Sequence, residues 1–496
     1  MKKVAALFLT VAMLAALFVS CNKDVEETPE PTEAERETQG ATERPTEDSK
    51  ETEKPTEPSD PEEPGEPEEP EEPEKPLKEL KDKIAIEAYL GDSLFDREQD
   101  IGQGSVMYVA KNTNADEYKA YVSELEEEGF VKYTENEIGK NRFTTLITKE
   151  QIVNVMYFDA TADVRVTVDS REKLSLPGLK SENVYQAKSE PDQSFTMLAT
   201  GHSTYDTGLG CIYKLADGTF FIIDGGISIE GNQSDDDPAN SMKWMKATLR
   251  ELADDPDNIV VSTWLLTHVH NDHMGIFMDM SRDEECQKTI KVERVIYSQP
   301  SDEDMQRGGV GHRINWIPDA IEDWGIETVV KAHPGQVFYI KDLTLTIYAN
   351  FDIVDPAYIS DHNNTSIVST VDFKHTTTLF MADSSEYENI EIAKIYENDL
   401  LDKCDVLQLA HHGYGDGSGG KHTRPAPVYD IVEPKIVLWP NSTQRLHSNG
   451  KVAEQEFNQR FFAPGIINHV AGEQNTTITD FADWSEPLRW SPEGWN

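Results

Sequence analysis

The 496-residue chain contains only four cysteines, and none of them stands in a Cys-x-x-Cys pair. This spacing excludes a disulfide scaffold and a cysteine-rich zinc module. Basic residues are also scarce, with 45 Lys and Arg against 92 Asp and Glu, so a large basic face for nucleic acid is not expected. The sequence has no Gly-x-Ser-x-Gly elbow and no phosphate-binding loop motif, which disfavours serine-hydrolase and P-loop chemistry.

The N-terminal residues are typical of an exported protein. Lys2 and Lys3 precede an apolar stretch that is too short and too early for a membrane-spanning helix. The segment Phe18 to Cys21 resembles a bacterial lipobox, in which the signal is cut before a cysteine that is then lipidated. We expect a lipoprotein signal peptide over residues 1–20, lipidation of Cys21, and a protein anchored to the membrane outside the cytoplasm. The alternative is an ordinary secretory signal followed by a cysteine by chance.

Composition divides the rest of the chain into three parts. Residues 22–80 carry 23 acidic and 7 basic side chains in Pro-Thr-Glu and Glu-Pro repeats, which predicts a disordered tether over 21–79. Apolar residues then return, and one helix-like segment with three strand-like runs predicts a small α+β domain over 80–180 with a binding or spacer role. Strand-like and helix-like segments alternate over 190–496, which predicts a layered α/β domain.

Four side chains able to bind a metal follow one apolar strand. The predicted strand Ile259–Thr267 continues directly into His268-Val269-His270-Asn271-Asp272-His273. His268 and His270 project to the same side of an extended chain, and Asp272 and His273 lie on the turn that follows. A lone histidine is usually structural, but imidazoles and a carboxylate at this spacing are good ligands for divalent ions, zinc in particular.

Two further predicted strands also end in ligand types. Leu379 to Ser384 contains Asp383 at the strand end, and the strand from Val406 continues into His411-His412-Gly413. Together these motifs resemble the metallo-β-lactamase superfamily, and within it the competence-protein-like and teichoic acid phosphorylcholine esterase-like branch. The resemblance covers about residues 194–475 and implies a four-layer αββα sandwich, preceded here by the small α+β domain and the tether.

The resemblance also implies a role for each matching residue. The implied metal ligands are His268, His270, Asp272, His273, a bridging Asp383 and one of His411 and His412. Asp272 would also act as the catalytic base. Asp224 would support the metal loop, although an aspartate before two glycines also marks a turn.

Two loop positions stay open at this stage. His362 has the spacing to Ser366 of the usual superfamily ligand, whereas Asn364 with Ser366 fits the branch in which that histidine is missing. His447 resembles the histidine of the branch that donates a hydrogen bond to substrate, and its alternative is an ordinary surface residue.

The implied cofactors are two divalent ions, zinc or alternatively manganese. Bound metal lowers the pKa of water from 15.7 to about 7, which gives hydroxide at neutral pH. We therefore expect a hydrolase, first of all a phosphodiesterase acting on a small molecule such as a choline-phosphate ester or on a cell-envelope polymer. The alternatives are another ester or thioester, nucleic acid, or a surface binding module without activity. Nucleic acid is disfavoured by the acidic composition.

Overall fold

The computed structural model describes residues 97–199, 208–227, 241–396, 404–414, 427–446, 452–472, 475–482 and 484. These residues all belong to one compact unit that begins at Glu71. The predicted signal peptide, Cys21, the tether and His447 lie outside the described residues. Among the described residues, no helix is both long enough and apolar enough to cross a membrane.

The first described part of the chain is an antiparallel sheet covered by one helix. Its elements are β1 Arg97–Asp100, β2 Val106–Lys111, α1 Ala115–Glu127, β3 Val131–Ile138, β4 Asn141–Ile147, β5 Gln151–Phe158 and β6 Asp163–Ser170. The strand order is β1-β2-β6-β5-β4-β3. Helix α1 begins with a capping box, in which the Asn114 side chain accepts from the Glu117 amide and the Glu117 carboxylate accepts from the Asn114 amide. The predicted helix and strands are confirmed, and the division into separate domains stays a prediction.

The other elements follow in chain order. They are β7 Ser194–Met197, β8 Gly210–Lys214, β9 Phe220–Asp224, α2 Ser241–Leu252, β10 Ile259–Leu266, α3 Asn271–Arg282, α4 Glu284–Thr289, β11 Ile290–Val292, β12 Arg294–Tyr297, α5 Asp302–Arg307, α6 Trp316–Trp324, β13 Thr328–Lys331, β14 Val337–Ile340, β15 Leu343–Ala349, β16 Val368–Phe373, β17 Thr376–Phe380, α7 Glu386–Tyr396, β18 Val406–Gln408, β19 Ile436–Trp439, β20 Ile467–Val470 and β21 Thr476–Ile478.

These strands form two sheets that enclose a common core. One sheet has the order β13-β12-β10-β9-β8-β7-β21, with β11 also paired to β10, and the other has the order β14-β15-β16-β17-β18-β19-β20. Alternate residues such as Ile223 of β9 and Leu345 of β15 point into one shared apolar cluster. A sheet that buries one face in this way must cover its other face with further elements.

Helices cover both outer faces. Met245 of α2, Phe277 of α3 and Ile317 of α6 pack with the outer face of the first sheet. Ile392 of α7 packs on the outer face of the second sheet, in a cluster that also contains Phe158 of the N-terminal sheet. The layer order is therefore helix, sheet, sheet, helix, and the predicted four-layer αββα sandwich is confirmed.

The carboxyl ends of four parallel strands meet at one edge of the sandwich. Strands β9 and β10 are parallel neighbours in one sheet, and β17 and β18 are parallel neighbours in the other. Ligands in open α/β sheets bind outside such strand ends. The loops that follow β10, β17 and β18 carry predicted metal ligands, and β9 ends at the predicted supporting residue Asp224.

Candidate metal centre

The loop after β10 leads straight into helix α3. His270 is the N-cap residue of α3, with extended backbone angles, and Asp272 lies in the first turn, where a carboxylate complements the positive end of the helix dipole. His268 and His273 are both buried, at 1% and 0% exposed. The strand and the helix start therefore fix all four side chains of the motif in one place.

Side chains from three of these loops, those after β10, β17 and β18, come together in two groups of ligand atoms. His268, His270 and Asp383 form one group, and Asp272, His273, Asp383 and His412 form the other, with atoms within 4.8 Å of one another in each group. Asp383 belongs to both groups.

The distances in the second group are short. Oδ1 of Asp383 lies 3.0 Å from Nε2 of His273 and 3.2 Å from Nε2 of His412. The same His412 nitrogen lies 3.2 Å from Oδ2 of Asp272. On the side of the first group, Nε2 of His268 lies 4.0 Å from Oδ2 of Asp383. Imidazole nitrogens and carboxylate oxygens crowded in this way are the donor set of a divalent metal site.

A hydrogen bond from outside these groups tests whether the residues fit a metal. Nδ1 of His273 lies 2.7 Å from Oδ2 of Asp224, so the buried Nε2 is the nitrogen of that ring that faces Asp383 and the ligand group. The Asp224 carboxylate is held in turn by the amide of Thr267 at 2.8 Å and its hydroxyl at 2.7 Å. A carboxylate that accepts from the far nitrogen of a histidine orients the near nitrogen as a ligand, so the donor set fits.

The charges in the cluster also suit a cation. Burial opposes ionisation of Asp383, but His273 and His412 outweigh it and hold the pKa of this carboxyl well below its usual range. Burial and the neighbouring imidazoles lower the pKa of His268, which favours the neutral ring that binds metals. The pKa of Asp272 is also lowered, because the interactions with His412 and His273 outweigh burial.

Backbone strain is concentrated around the same groups. Asp224, Ala382, His411 and His412 all have positive φ angles, between 47° and 54°. Residues other than glycine rarely adopt this region, and such strain clusters where the structure must hold functional side chains. The strained turn at His411 and His412 aims only the second ring into the ligand groups.

The remaining predicted residues lie close by but outside the two groups. Nε2 of His411 lies 3.4 Å from Nδ2 of Asn363. The ring of His362 is buried 6.2 Å from that of His270 and packs against Gly308, where even a Cβ atom would clash with it. Asn364 organises the loop through its side-chain oxygen, which accepts from Ser385 and from the amides of Tyr387 and Glu388. Whether His362 is a ligand stays a prediction.

Sequence patterns did not point to two charged residues beside the site. Arg313 donates from Nη1 to the Val269 carbonyl at 3.3 Å and stacks on Trp316 at 5.2 Å. Glu388 is buried beside Ser384, the residue after Asp383, and burial raises the pKa of its carboxyl well above the usual range. Neither has a distinctive spacing to another polar residue, so only the folded chain brings them to the site.

Replacing Asp224 with asparagine tests its role. We expect metal affinity to fall by about 10- to 100-fold, because the amide cannot accept from both Thr267 and the His273 ring as the carboxylate does. Competition with a zinc-binding dye measures this affinity. The turn residue Asp255 accepts hydrogen bonds only within its own turn, so Asp255→Asn is the matched control. Unchanged affinity in Asp224→Asn would favour the turn interpretation.

No family model matches the chain, and no curated protein matches it. Solved structures do match. CmlA, a diiron β-hydroxylase from Streptomyces venezuelae, is 13% identical over 58% of this chain and 54% of its own, with a TM-score of 0.30. The metallo-β-lactamase fold protein YhfI from Bacillus subtilis is 12% identical over 57% of this chain and 99% of its own, with a TM-score of 0.31.

A third match is MEM-A1, a subclass B3 metallo-β-lactamase from a soil metagenome library. It is 14% identical over 45% of this chain and 82% of its own, with a TM-score of 0.28. The chain spans about half the length of the matching hydroxylase. Likeness at this level carries no argument about the reaction, which depends on the chain's own residues.

Proposed function

We propose that the protein is a metal-dependent hydrolase with two divalent ions, zinc or manganese, and that it cleaves phosphodiesters. The observation that carries this proposal is the pair of imidazole–carboxylate groups that share Asp383. The hydrogen bond from His273 to Asp224 supports it, since it orients the ring for a ligand role. The metal identity and the bond cleaved belong to the proposal.

His268, His270, Asp272, His273, Asp383 and His412 would hold two ions, whose chemistry would be to provide a nucleophile at neutral pH and to polarise the substrate oxygen. The chain's residues hold this arrangement and manage the proton. The lowered pKa of Asp272, which its contacts with His412 and His273 bring about, keeps this carboxylate ionised, so it can accept a hydrogen bond from the attacking water and orient it. The base role of Asp272 is proposed on the resemblance of its motif.

An anionic substrate is favoured by the position of Arg313. Burial is the main reason that the pKa values of His270 and His362 lie below the usual range. The positive charge of Arg313 lowers both values further. A guanidinium beside the metal groups can pair with a phosphate oxygen. The strongly acidic chain disfavours long polyanions, so a short or choline-bearing envelope ester is the better candidate.

Lipidation at Cys21 and a location outside the cytoplasm are part of this proposal on sequence grounds. They would place the site next to cell-envelope polymers.

Hydrolysis of bis(p-nitrophenyl) phosphate by the purified chain tests the proposal. We expect turnover with added zinc or manganese, loss of turnover in His270→Ala, and full turnover in His375→Ala, a control at an exposed histidine. Bound metal without diester cleavage, together with cleavage of p-nitrophenyl acetate, would replace the phosphodiester with a carboxylic ester. Absence of bound metal would instead favour a binding module.

A further inference from the structure

A cavity of about 320 Å³ lies at a different place in the sandwich from the metal centre. The segment 177–184 covers it, and its other walls come from β10, β12, β13 and the edge strand β14. The lining residues used below are Glu182, Thr263, Glu293, Arg294, Tyr339 and Lys341. The volume falls at the lower end of the range for small-molecule sites, about 300–1,000 Å³.

The strand direction separates this cavity from the metal ligands. Thr263 lies in the middle of β10, and Arg294 is the first residue of β12. His268, the first metal ligand, comes five residues after Thr263, which corresponds to roughly 17 Å along an extended chain. A ligand in the cavity would therefore not touch the metal groups.

Three charged residues of the cavity wall have a hydrogen-bond or ion-pair partner. Glu182 accepts from the Leu179 amide at 2.8 Å. Glu293 pairs with Lys291 at 3.3 Å, and Lys341 pairs with Asp217 at 3.3 Å.

Arg294 differs from these groups. Its Nε is buried and makes no hydrogen bond to any described residue. The side chain as a whole is partly buried, and this burial lowers the pKa of the guanidinium. Because Nε itself is closed to solvent, an incoming acceptor would pair end-on with the two terminal nitrogens of the guanidinium, which make no hydrogen bond or ion pair to any described residue.

We propose that this cavity binds a small monocarboxylate through Arg294. The guanidinium edge presents parallel N–H donors that match the two oxygens of a carboxylate. Glu182 and Glu293 also line the cavity, and their negative charge opposes a doubly charged phosphate more strongly than a singly charged carboxylate. The Tyr339 ring supplies an aromatic wall for the rest of the molecule.

Acetate is the simplest probe that carries this chemistry, and acetamide is its neutral control. NMR signals of the arginine Nε–H groups, recorded on the whole purified chain, report contact between acetate and a guanidinium. The signal that disappears in Arg294→Gln is the signal of Arg294. We expect acetate to shift the Arg294 signal saturably and acetamide to leave it unchanged. Arg282→Gln, at an exposed arginine, is the control and should leave the response intact.

A conservative variant separates the hydrogen-bond geometry from the charge alone. Arg294→Lys keeps the charge but loses the paired N–H donors of the guanidinium, so we expect acetate affinity, followed by thermal shift, to fall by about tenfold or more. Diester turnover should be unchanged in both Arg294 variants if they are folded. The proposal is overturned if the Arg294 signal responds to acetate no more than that of Arg282, if acetamide acts equally, or if Arg294→Lys binds acetate as the wild type does.

Discussion

Replacing Asp383 with alanine is expected to lower turnover of a phosphodiester by about 10³-fold or more and to leave fewer than two bound ions per chain. The carboxylate belongs to both ligand groups and lies against His273 and His412. A bound metal that polarises the substrate oxygen contributes several kcal/mol of transition-state stabilisation, and about 1.4 kcal/mol corresponds to a factor of ten in rate, so its loss accounts for about 10³-fold. No other residue of the two groups is shared, so this substitution should have the largest effect on activity.

Metal counting and kinetics on the same preparation check this expectation. Atomic emission gives the number of ions per chain, and circular dichroism shows whether the variant is folded. Asp372→Ala is a matched control, because Asp372 is an exposed aspartate on the neighbouring strand β16. Turnover within a few-fold of wild type in folded Asp383→Ala would refute the dimetal mechanism.

The part of this site that the sequence predicts best is the part encoded locally. His268 to His273 lie within six positions of one strand end, and alternation along the strand places the first two rings on one side. The choice between His411 and His412 could not be made in this way. It depends on the positive φ angles of both residues, which turn only His412 toward Asp383.

The surroundings of His362 show a second limit of sequence reasoning. Its spacing to Ser366 fits a ligand, yet its ring packs against Gly308 at the end of α5, which is 54 positions away in the chain. Spacing cannot report which distant backbone approaches a side chain. The fold of the sandwich was predictable because strand and helix patterns repeat along the chain, whereas such contacts have no local pattern.

The N-terminal sheet gives the clearest example of a contact that spacing cannot reveal. Residues 80–180 contain no histidine, and the position of His333 in the sequence has no spacing that distinguishes it from a structural histidine. In the folded chain, Nε2 of His333 lies 3.0 Å from Asp169 of β6, and its Nδ1 lies 2.6 Å from Asp352. This fully buried triad joins the N-terminal sheet to the sandwich.

Two further cations complete this buried cluster. Lys331 donates to the Ile101 carbonyl at 2.6 Å, and Arg165 pairs with Asp163 at 3.0 Å and donates to the Asp352 carbonyl. Buried ions are tolerated only when each is paired and hydrogen-bonded. The cluster therefore makes the attachment of the sheet sensitive to the charge state of its members.

His333→Gln is expected to lower the free energy of unfolding by about 3 kcal/mol near pH 6. Burial disfavours the charged ring, but Asp169 and Asp352 outweigh it and raise the pKa of His333 to about 9. Because this pKa lies above the unfolded value of about 6.5, the stabilisation is complete below pH 6.5 and is lost as the pH rises toward 9.

The pH dependence distinguishes this electrostatic role from simple packing. Burial lowers the pKa of Lys331 to about 8, so its charge destabilises the folded chain below pH 8, and this penalty disappears as the pH rises toward about 10.5. Lys331 is present in both proteins, so the difference in unfolding free energy between wild type and His333→Gln isolates the histidine to first order.

Urea unfolding from pH 6 to 9.5 measures this difference, with His375→Gln at an exposed position as control. A difference that stays constant over this range would mean that His333 acts through packing, and a difference that shrinks toward pH 9 would establish the charged triad as the link between the sheet and the sandwich.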